Sequence, residues 1–201
     1  MLPWSGSGED ANFCPDASCL IVVGLGGIGR SICHWTADKG ARDIIVMSRS
    51  AGSSKKSHEV VEEVRKLGIK LLPVSCDVSG PLALSHAVEE SGKTMPPDSI
   101  LEQMTLDAWL TATRPKVHGS LNLHKQFSNP EVDFFIMLSS LSGVTGFVSQ
   151  SNYAAGNTLQ DAMALHRVCS GLHAVSIDIG IVNSVGHLIE HKEQMERLRK
   201  Q

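Results

Sequence analysis

Residues 20–32 read LIVVGLGGIGRSI, an apolar run followed by glycines and by the start of an amphipathic segment. Three glycines spell G-x-G-x-x-G between a strand predicted over 20–23 and a helix predicted over 31–39. Glycines there permit a tight turn and a close approach of the backbone to a pyrophosphate, which the N–H groups and dipole of the helix start stabilise. The predicted cofactor-binding residues of this loop are Gly24, Leu25, Gly26, Gly27, Ile28 and Gly29.

The rest of the chain alternates short apolar runs with amphipathic segments. Strands are predicted over 44–47, 69–74, 134–138 and 174–179, and helices over 60–67, 82–88, 99–126 and 152–168. The helix over 99–126 is expected to break near Arg114 and Pro115, because proline lacks the N–H of an interior helical position. Such alternation is typical of parallel strands joined by right-handed crossovers. The sequence therefore predicts an α/β fold, a Rossmann-type doubly wound parallel sheet, with an α/β enzyme of another topology as the alternative.

Composition and charge exclude several classes of protein. The 201 residues suit one domain, and 18 Lys and Arg against 21 Asp and Glu leave no basic excess for nucleic-acid binding. No apolar stretch reaches the roughly 18 residues of a membrane span, and residues 1–10 lack the features of a signal peptide, so no membrane partner is expected. The five cysteines form no C-x-x-C pair and the nine histidines show no ligand spacing. This pattern favours reduced thiols, a cytoplasmic protein and no metal site.

The residues after the second predicted strand favour one nicotinamide cofactor over the other. An acidic residue at this place binds the ribose 2′-hydroxyl of NAD, whereas this chain has Ser48 and Arg49. A guanidinium beside a hydroxyl suits a 2′-phosphate, so NADPH is the predicted cofactor, with a solvated surface arginine as the alternative. Asp77 and Val78, which follow the third predicted strand, are candidates to hold the adenine edge. A helix N-cap role for Asp77 is an equal alternative.

The single tyrosine of the chain, Tyr153, marks the predicted reducing site. It lies near the start of the helix predicted over 152–168, with Asn157 four residues later on the same face. Ser140 follows the strand predicted over 134–138, and ligands gather at the carboxyl ends of parallel strands. Carbonyl reduction needs a hydride and a proton donor aimed at the developing alkoxide. A phenol is a good donor only when a nearby cation favours phenolate.

These residues resemble the ketoreductase catalytic domain of modular and fungal iterative polyketide synthases, within the short-chain dehydrogenase/reductase superfamily. The matching runs are LIVVGLGGIGRSI, IIVMSRS, CDVS, TRPKVHGSLNLH, FFIMLSSLSGVTGFVSQSNYAAGN and SIDIG. The resemblance implies that Tyr153 protonates the ketone oxygen and that Ser140 hydrogen-bonds the same oxygen. It also implies that Lys116, thirty-seven residues before the tyrosine, makes the phenol a better acid and contacts the nicotinamide ribose. Asn157 is implied to position Lys116 and a proton-relay water.

The resemblance also implies a substrate and partners. The substrate would be a β-ketoacyl chain on the phosphopantetheine arm of an acyl carrier protein, and the product the β-hydroxyacyl thioester. The expected partners are that carrier protein and other synthase domains. A catalytically impaired remnant of such a domain, and a free-standing short-chain reductase of a small ketone, are the alternatives.

Departures from the family pattern lead to a further hypothesis. Val23 stands where another glycine usually opens the loop. Residues 94–104 read TMPPDSILEQM, so the fourth strand, central in the sheet, is expected to be deleted. We therefore expect a tail or remnant linker over 1–19, a ketoreductase catalytic domain over 20–186 and a truncated charged tail over 187–201. A fragment or an altered gene model would explain these features.

Overall fold

The computed structural model describes residues 12–22, 25, 27–51, 55–80, 100–180 and 182. Within this part of the chain, parallel strands alternate with helices. The strands are β1 (Ser18–Val22), β2 (Asp43–Ser48), β3 (Lys70–Ser75), β4 (Ile136–Ser140) and β5 (Val175–Ile179). The helices are α1 (Gly27–Asp38), α2 (Lys55–Lys66), α3 (Leu106–Gln126), α4 (Ser142–Thr145) and α5 (Ser151–Cys169), with a 3-10 turn at Leu101–Gln103.

The first of two compact units contains the described residues up to Ser75. Its sheet has the order β1-β2-β3, and its strands run parallel, with Ile44 of β2 opposite both Cys19 and Leu71. Helices α1 and α2 connect the strands, as parallel pairing requires. Aliphatic side chains from the strands and both helices form one core, which supports the sheet beneath the predicted cofactor loop.

Of the tail predicted over 1–19, the structure describes residues 12–19, and Phe13 among them packs on the first unit. Phe13 lies against the core of the first unit, edge-on to Trp35 with 5.5 Å between ring centroids. Its N–H donates to the Lys39 carbonyl at 2.8 Å. Strand β1 begins at Ser18, two residues before the predicted start. A segment without apolar periodicity gives no sequence signal for such packing.

The second unit begins at Cys76. Strands β4 and β5 form a parallel pair, with Ile136 opposite Val175 and Ser140 opposite Ile179. Helices α3 and α5 pack against each other, and α5 also packs against both strands. The described strands therefore place the start of α5 and the carboxyl end of β4 in one unit.

The helix predicted over 99–126 differs from the structure in two ways. Helix α3 begins only at Leu106, after Thr105, whose side chain caps its first turn. The predicted break near Arg114 and Pro115 is wrong, since α3 continues through both residues. The helix buries residues on either side of the proline in sequence, Ala112, Thr113, Gly119 and Ser120. We attribute the continuity to this packing on α5, which outweighs the loss of one backbone hydrogen bond.

The α/β class with parallel strands is confirmed, and the described strands form one sheet of three strands and one of two. Helix α4 has no counterpart among the predicted elements. The predicted deletion of the fourth strand and the helix predicted over 82–88 lie outside the described residues, within 81–99. No helix in the described ranges is long and apolar enough to span a bilayer.

Candidate active site

Ser140 lies at the carboxyl end of a parallel strand, as the sequence predicts. It is the last residue of β4 and is paired in register with Ile179 of β5. The chain then turns directly into α4. The Leu141 N–H donates to the Ile179 carbonyl at 3.2 Å, and the Ser142 N–H donates to the Ser140 hydroxyl at 3.3 Å. Ser140 is half-buried, at the edge of the sheet where ligands of parallel strands gather.

Tyr153 lies in the first turn of α5 and is half-buried. Its N–H donates to Asn152 Oδ1 at 2.8 Å, and Asn152 Nδ2 donates to the Ala108 carbonyl of α3 at 3.1 Å. Asn152 is 4% exposed. This buried amide therefore ties the start of α5, and with it the backbone of Tyr153, to the first turn of α3.

Lys116 reaches the tyrosine from the middle of α3. Its Nζ lies over the Tyr153 ring, 5.3 Å from the ring centroid. The ammonium donates to the Leu138 carbonyl of β4 at 3.1 Å and to Gln160 Oε1 of α5 at 2.9 Å. A cation in this position is attracted by the aromatic ring. The structure thus brings together Lys116 and Tyr153, as the sequence predicts.

The surroundings of Lys116 lower the pKa of its ammonium group. Burial disfavours the charged ammonium and lowers the pKa of Lys116 from 10.5 to about 8. The negative charge of Asp161 acts in the opposite direction with a smaller effect. The lysine is therefore a cation at neutral pH and loses its charge under mildly alkaline conditions.

Asn157 is fully buried one turn after Tyr153. Its Nδ2 donates to the Tyr153 carbonyl at 2.9 Å and to the Ser142 hydroxyl at 3.2 Å. Since Ser142 also bonds to Ser140, this amide connects the tyrosine to the turn after β4. Asn157 Oδ1 is buried and, among the described residues, has no hydrogen-bond partner. A buried oxygen of this kind suits an ordered water or a ligand.

The resemblance implies that Asn157 positions Lys116, and the hydrogen bonds that the structure describes for the two side chains go to different partners. In the described part of the chain, the Lys116 ammonium is held by Gln160 and by the Leu138 carbonyl. Asn157 bonds instead to its own helix and to α4. The four predicted catalytic residues are therefore connected, but through intermediates that were absent from the sequence prediction.

Sequence reasoning missed two polar side chains that form a path of hydrogen bonds from Lys116. Gln160 is 8% exposed, and its Nε2 donates to the hydroxyl of Ser120 at 3.2 Å. Helical spacing carries the signal for both, because Gln160 lies two turns after Tyr153 and Ser120 one turn after Lys116. A search for polar residues on the faces of the catalytic pair would have found them.

The cofactor loop predicted in the first unit is described in part. Leu25 precedes α1, whose first three residues are Gly27, Ile28 and Gly29, while Gly24 and Gly26 lie outside the described residues, as does Val23. The predicted residues thus include a helix N-terminus, which suits a phosphate group.

The end of β2 carries the residues predicted to select the cofactor. Ser48 is the last residue of β2, and its Oγ is buried without a hydrogen-bond partner in the described ranges. Arg49 follows in an exposed turn, and its carbonyl accepts from the Ser75 hydroxyl at 2.9 Å. The unsatisfied hydroxyl of Ser48, which precedes Arg49 in sequence, suits a ligand that forms a hydrogen bond with it.

Asp77 and Val78 lie in a turn at the start of the second unit. Asp77 Oδ1 accepts from the Ser79 N–H at 3.0 Å and from its hydroxyl at 2.7 Å. The Val78 carbonyl accepts from Asn122 Nδ2 of α3 at 3.0 Å. The carboxylate therefore stabilises its own turn, and its predicted uses at the adenine edge or as a helix cap stay predictions.

Comparisons of sequence show what this chain is similar to. The family model of the KR domain matches residues 17–184. A highly reducing polyketide synthase of Emericella nidulans is 46% identical over 197 residues, which cover 92% of this chain and 8% of that protein. Squalestatin tetraketide synthase of Phoma sp. is 47% identical over 196 residues, with the same two shares. The chain thus spans 8% of the length of these relatives.

Solved structures show the same likeness. A structure of A-type ketoreductases from a modular polyketide synthase has a TM-score of 0.84 at 27% identity, covering 98% of this chain and 43% of that one. The ketoreductase from the first module of phoslactomycin biosynthesis in Streptomyces sp. HK803 has a TM-score of 0.80 at 28% identity, covering 94% of this chain and 46% of the other. The similarity therefore extends over nearly all of the sequence.

Proposed function

This chain belongs to the KR domain family of polyketide synthases, and we propose that it reduces a β-ketoacyl thioester to the β-hydroxyacyl thioester with NADPH. KR domains are oxidoreductases of a superfamily that binds NAD(P)H. The proposal adds the phosphorylated cofactor and a substrate carried on the phosphopantetheine arm of an acyl carrier protein. It assigns the activity to the domain over 20–186, working beside other domains of a synthase.

The observation that carries the proposal is the buried cation beside the single tyrosine. Lys116 Nζ lies 5.3 Å from the centroid of the Tyr153 ring and is fixed by two hydrogen bonds. Ser140 ends the neighbouring strand β4 and is linked to α5 through Ser142 and Asn157. A proton donor, a cation and a hydroxyl donor at one sheet edge are what carbonyl reduction needs.

When bound, NADPH supplies the hydride that the ketone carbon accepts. The residues of the chain manage the charge that develops on the ketone oxygen. Ser140 Oγ donates a hydrogen bond to that oxygen, and Tyr153 Oη transfers its proton to it. The Lys116 ammonium then stabilises the phenolate that remains, because an opposite charge nearby favours an ionised group.

Asn157 supports the return of a proton to the tyrosine. Its Nδ2 fixes the backbone of Tyr153 and the Ser142 hydroxyl. Its buried Oδ1, without a partner among the described residues, is an acceptor for an ordered water.

Most of the groups assigned to the cofactor belong to the first unit, whereas Asp77 and Val78 belong to the second. The loop residues Gly24, Leu25, Gly26, Gly27, Ile28 and Gly29 approach the pyrophosphate, and α1 begins within this run. Ser48 Oγ and the Arg49 guanidinium bind the 2′-phosphate, while Asp77 and Val78 are assigned to the adenine edge. The buried and unpartnered Ser48 hydroxyl supports this assignment.

The test combines cofactor binding with turnover by the purified 201-residue chain. Calorimetry with NADPH and NADH should show tighter binding of NADPH, and Arg49→Ala should remove that preference because the 2′-phosphate loses its cation. Reduction of a β-ketoacyl group on a phosphopantetheinylated carrier protein is then compared with reduction of a small ketone. The proposal expects faster reduction of the carrier-bound substrate.

Each alternative predicts a different result. A folded chain that binds neither nucleotide would be the impaired remnant, and the proposal would be wrong. A chain that binds NADPH and reduces the small ketone as fast as the carrier-bound substrate would be a free-standing reductase. Circular dichroism of the same sample separates loss of fold from loss of binding.

A further inference from the structure

We propose that Gln160 is a positioning residue for Lys116, which it holds against Tyr153 through a hydrogen bond that leaves the positive charge of the lysine unpaired. The proposal rests on the proposed function, since it deepens the role of Lys116 in that site. It assigns to a buried carboxamide the task that the sequence resemblance gives to Asn157.

The hydrogen bonds around Gln160 form a closed path between two helices. Gln160 Oε1 of α5 accepts from Lys116 Nζ at 2.9 Å, and Gln160 Nε2 donates to Ser120 Oγ at 3.2 Å. Lys116 and Ser120 lie one turn apart on α3. Gln160 and Ser120 are 8% and 5% exposed. Because Ser120 binds the amide nitrogen, the carboxamide oxygen is directed at the lysine.

The aliphatic stem of Lys116 is held in place by packing, in addition to the hydrogen bonds of its ammonium group. A Cβ added to Gly156 would lie 3.1 Å from both Cβ and Cδ of Lys116, so the lysine stem packs closely against the backbone of α5 at this glycine. The stem therefore passes directly over α5 before the ammonium reaches Gln160. Because the stem packs against α5 and the ammonium is bonded to both α5 and β4, Nζ has few alternative positions over the Tyr153 ring.

A carboxamide and a carboxylate at position 160 would have different effects on the positive charge of Lys116. A glutamate at 160 would form an ion pair with the ammonium and weaken its effect on the phenol, whereas the amide oxygen accepts a hydrogen bond without neutralising the positive charge. The titratable groups that face Lys116 in the described residues are Tyr153 and Asp161 of α5, and β4 offers a carbonyl, that of Leu138. The neutral contact therefore keeps the cation available to Tyr153.

The experiment compares pH profiles of kcat for the wild-type chain, Gln160→Leu and Gln160→Glu. Gln160→Leu should lower kcat about tenfold with KM little changed, because a hydrogen bond to a charged group is lost. Its alkaline limb should move about one unit lower in pH, and that of Gln160→Glu about one unit higher, since a carboxylate favours the ammonium. Gln126→Glu, which adds the same charge at the exposed end of α3, is the matched control and should shift neither limb.

Opposite shifts of the alkaline limbs of Gln160→Leu and Gln160→Glu would support the proposal. Equal losses of kcat in the two variants, without a shift of either limb, would overturn it. The variant Tyr153→Phe distinguishes failure of the Gln160 proposal from failure of the proposed function. If Tyr153→Phe abolishes turnover while the Gln160 variants keep the wild-type profile, the proposed function stands and the role of Gln160 does not. If Tyr153→Phe has no effect, the proposed function itself is wrong.

A second measurement needs neither turnover nor cofactor. The charge of Lys116 is followed by NMR titration of Cε-labelled lysine, with Lys116→Met to assign its signal. Gln160→Glu should raise the pKa of Lys116 relative to the wild-type chain, and Ser120→Ala, which frees the carboxamide, should lower it. Unchanged titration in both variants would overturn the proposal, and a variant that fails to fold leaves the other to decide.

Discussion

The two compact units of the chain bury apolar and polar side chains in different proportions. In the first unit one aliphatic cluster extends through three strands and two helices, and Ala41, Val46 and Val64 are fully buried. In the second, the apolar cluster centres on Met137, Met163 and Ala164. Among the described residues, the first unit buries the polar residues Thr36 and Ser57, whereas the second buries Thr113, Ser120, Ser139, Ser142, Asn152, Asn157, Gln160 and Arg167.

This difference shows that the buried side chains of the two units have different roles. Burying a polar group costs free energy unless the group is hydrogen-bonded, so a unit rich in such groups depends on a connected network. Here the connections run from Asn152, Asn157 and Gln160 of α5 to α3 and α4, and they fix Tyr153 and Lys116. The first unit is stabilised by apolar burial, whereas the second uses polar burial to orient its candidate catalytic groups.

The largest effect is expected from removing one oxygen in the second unit. Tyr153→Phe should lower kcat by about 10²–10⁴-fold, because the proton donor is lost while the ring beneath Lys116 stays. The midpoint of thermal unfolding should change little, since the ring keeps its packing. Steady-state reduction of a β-keto thioester with NADPH, alongside a melting curve, measures both quantities. Retention of full activity would remove Tyr153 from the mechanism.

A second prediction concerns the aliphatic core of the first unit. Leu71→Ala should lower the free energy of unfolding by about 2–5 kcal/mol, since Leu71 of β3 is 2% exposed and its loss leaves a cavity. Its neighbour Leu72 is 50% exposed, so Leu72→Ala is the matched control, with an expected loss below about 1 kcal/mol. Urea unfolding of both variants tests the prediction. Equal losses would mean that burial in this sheet does not determine stability.

The same difference explains what the sequence could predict. Apolar runs, helical spacing and terminal glycines specify the first unit, and Gly40 and Gly68 end their helices with φ of +101° and +79°. In the second unit α4 was not predicted, and α3 continues through Pro115 because of packing that no local rule contains. Tertiary contacts there outweigh local preference.

The candidate site was predictable only in its chemistry. Tyr153, Ser140 and Asn157 were identified by type and position, Lys116 was identified through the resemblance to ketoreductases, and the structure places Lys116 over Tyr153. Which group holds the lysine depends on a contact between helices forty-four residues apart in sequence, that of Lys116 with Gln160. A single sequence carries no direct signal for such a pair.

The smallest effect is a pH dependence of stability at the buried arginine of the second unit. Arg167 is 0% exposed and donates to the carbonyls of Phe127, at 3.1 Å, and His173, at 3.3 Å. Its third partner is His124 Nδ1 of α3, at 3.0 Å. Only a neutral imidazole with a free lone pair can accept this bond, so protonation of His124 would set two cations against each other.

The sign of the effect follows from the pKa of His124. Burial lowers this pKa below its usual 6.5, and the positive charges of Arg167, His166 and Lys125 lower it further. As pH falls below about 6.5 the unfolded chain binds the proton first, so the contribution of His124 to stability is complete above that pH and is lost below it. Urea unfolding between pH 5 and about 8 should show this loss in the wild-type chain.

Two substitutions on α3 test whether His124 causes the loss of stability at acidic pH. His124→Gln keeps an oxygen acceptor for Arg167 but does not titrate, so its unfolding free energy should vary less with pH in this window. His118→Gln removes an exposed histidine from the same helix and should leave the wild-type dependence unchanged. If His124→Gln and the wild-type chain lose stability in parallel, the acid sensitivity lies elsewhere, and the buried arginine does not depend on the charge of its neighbour.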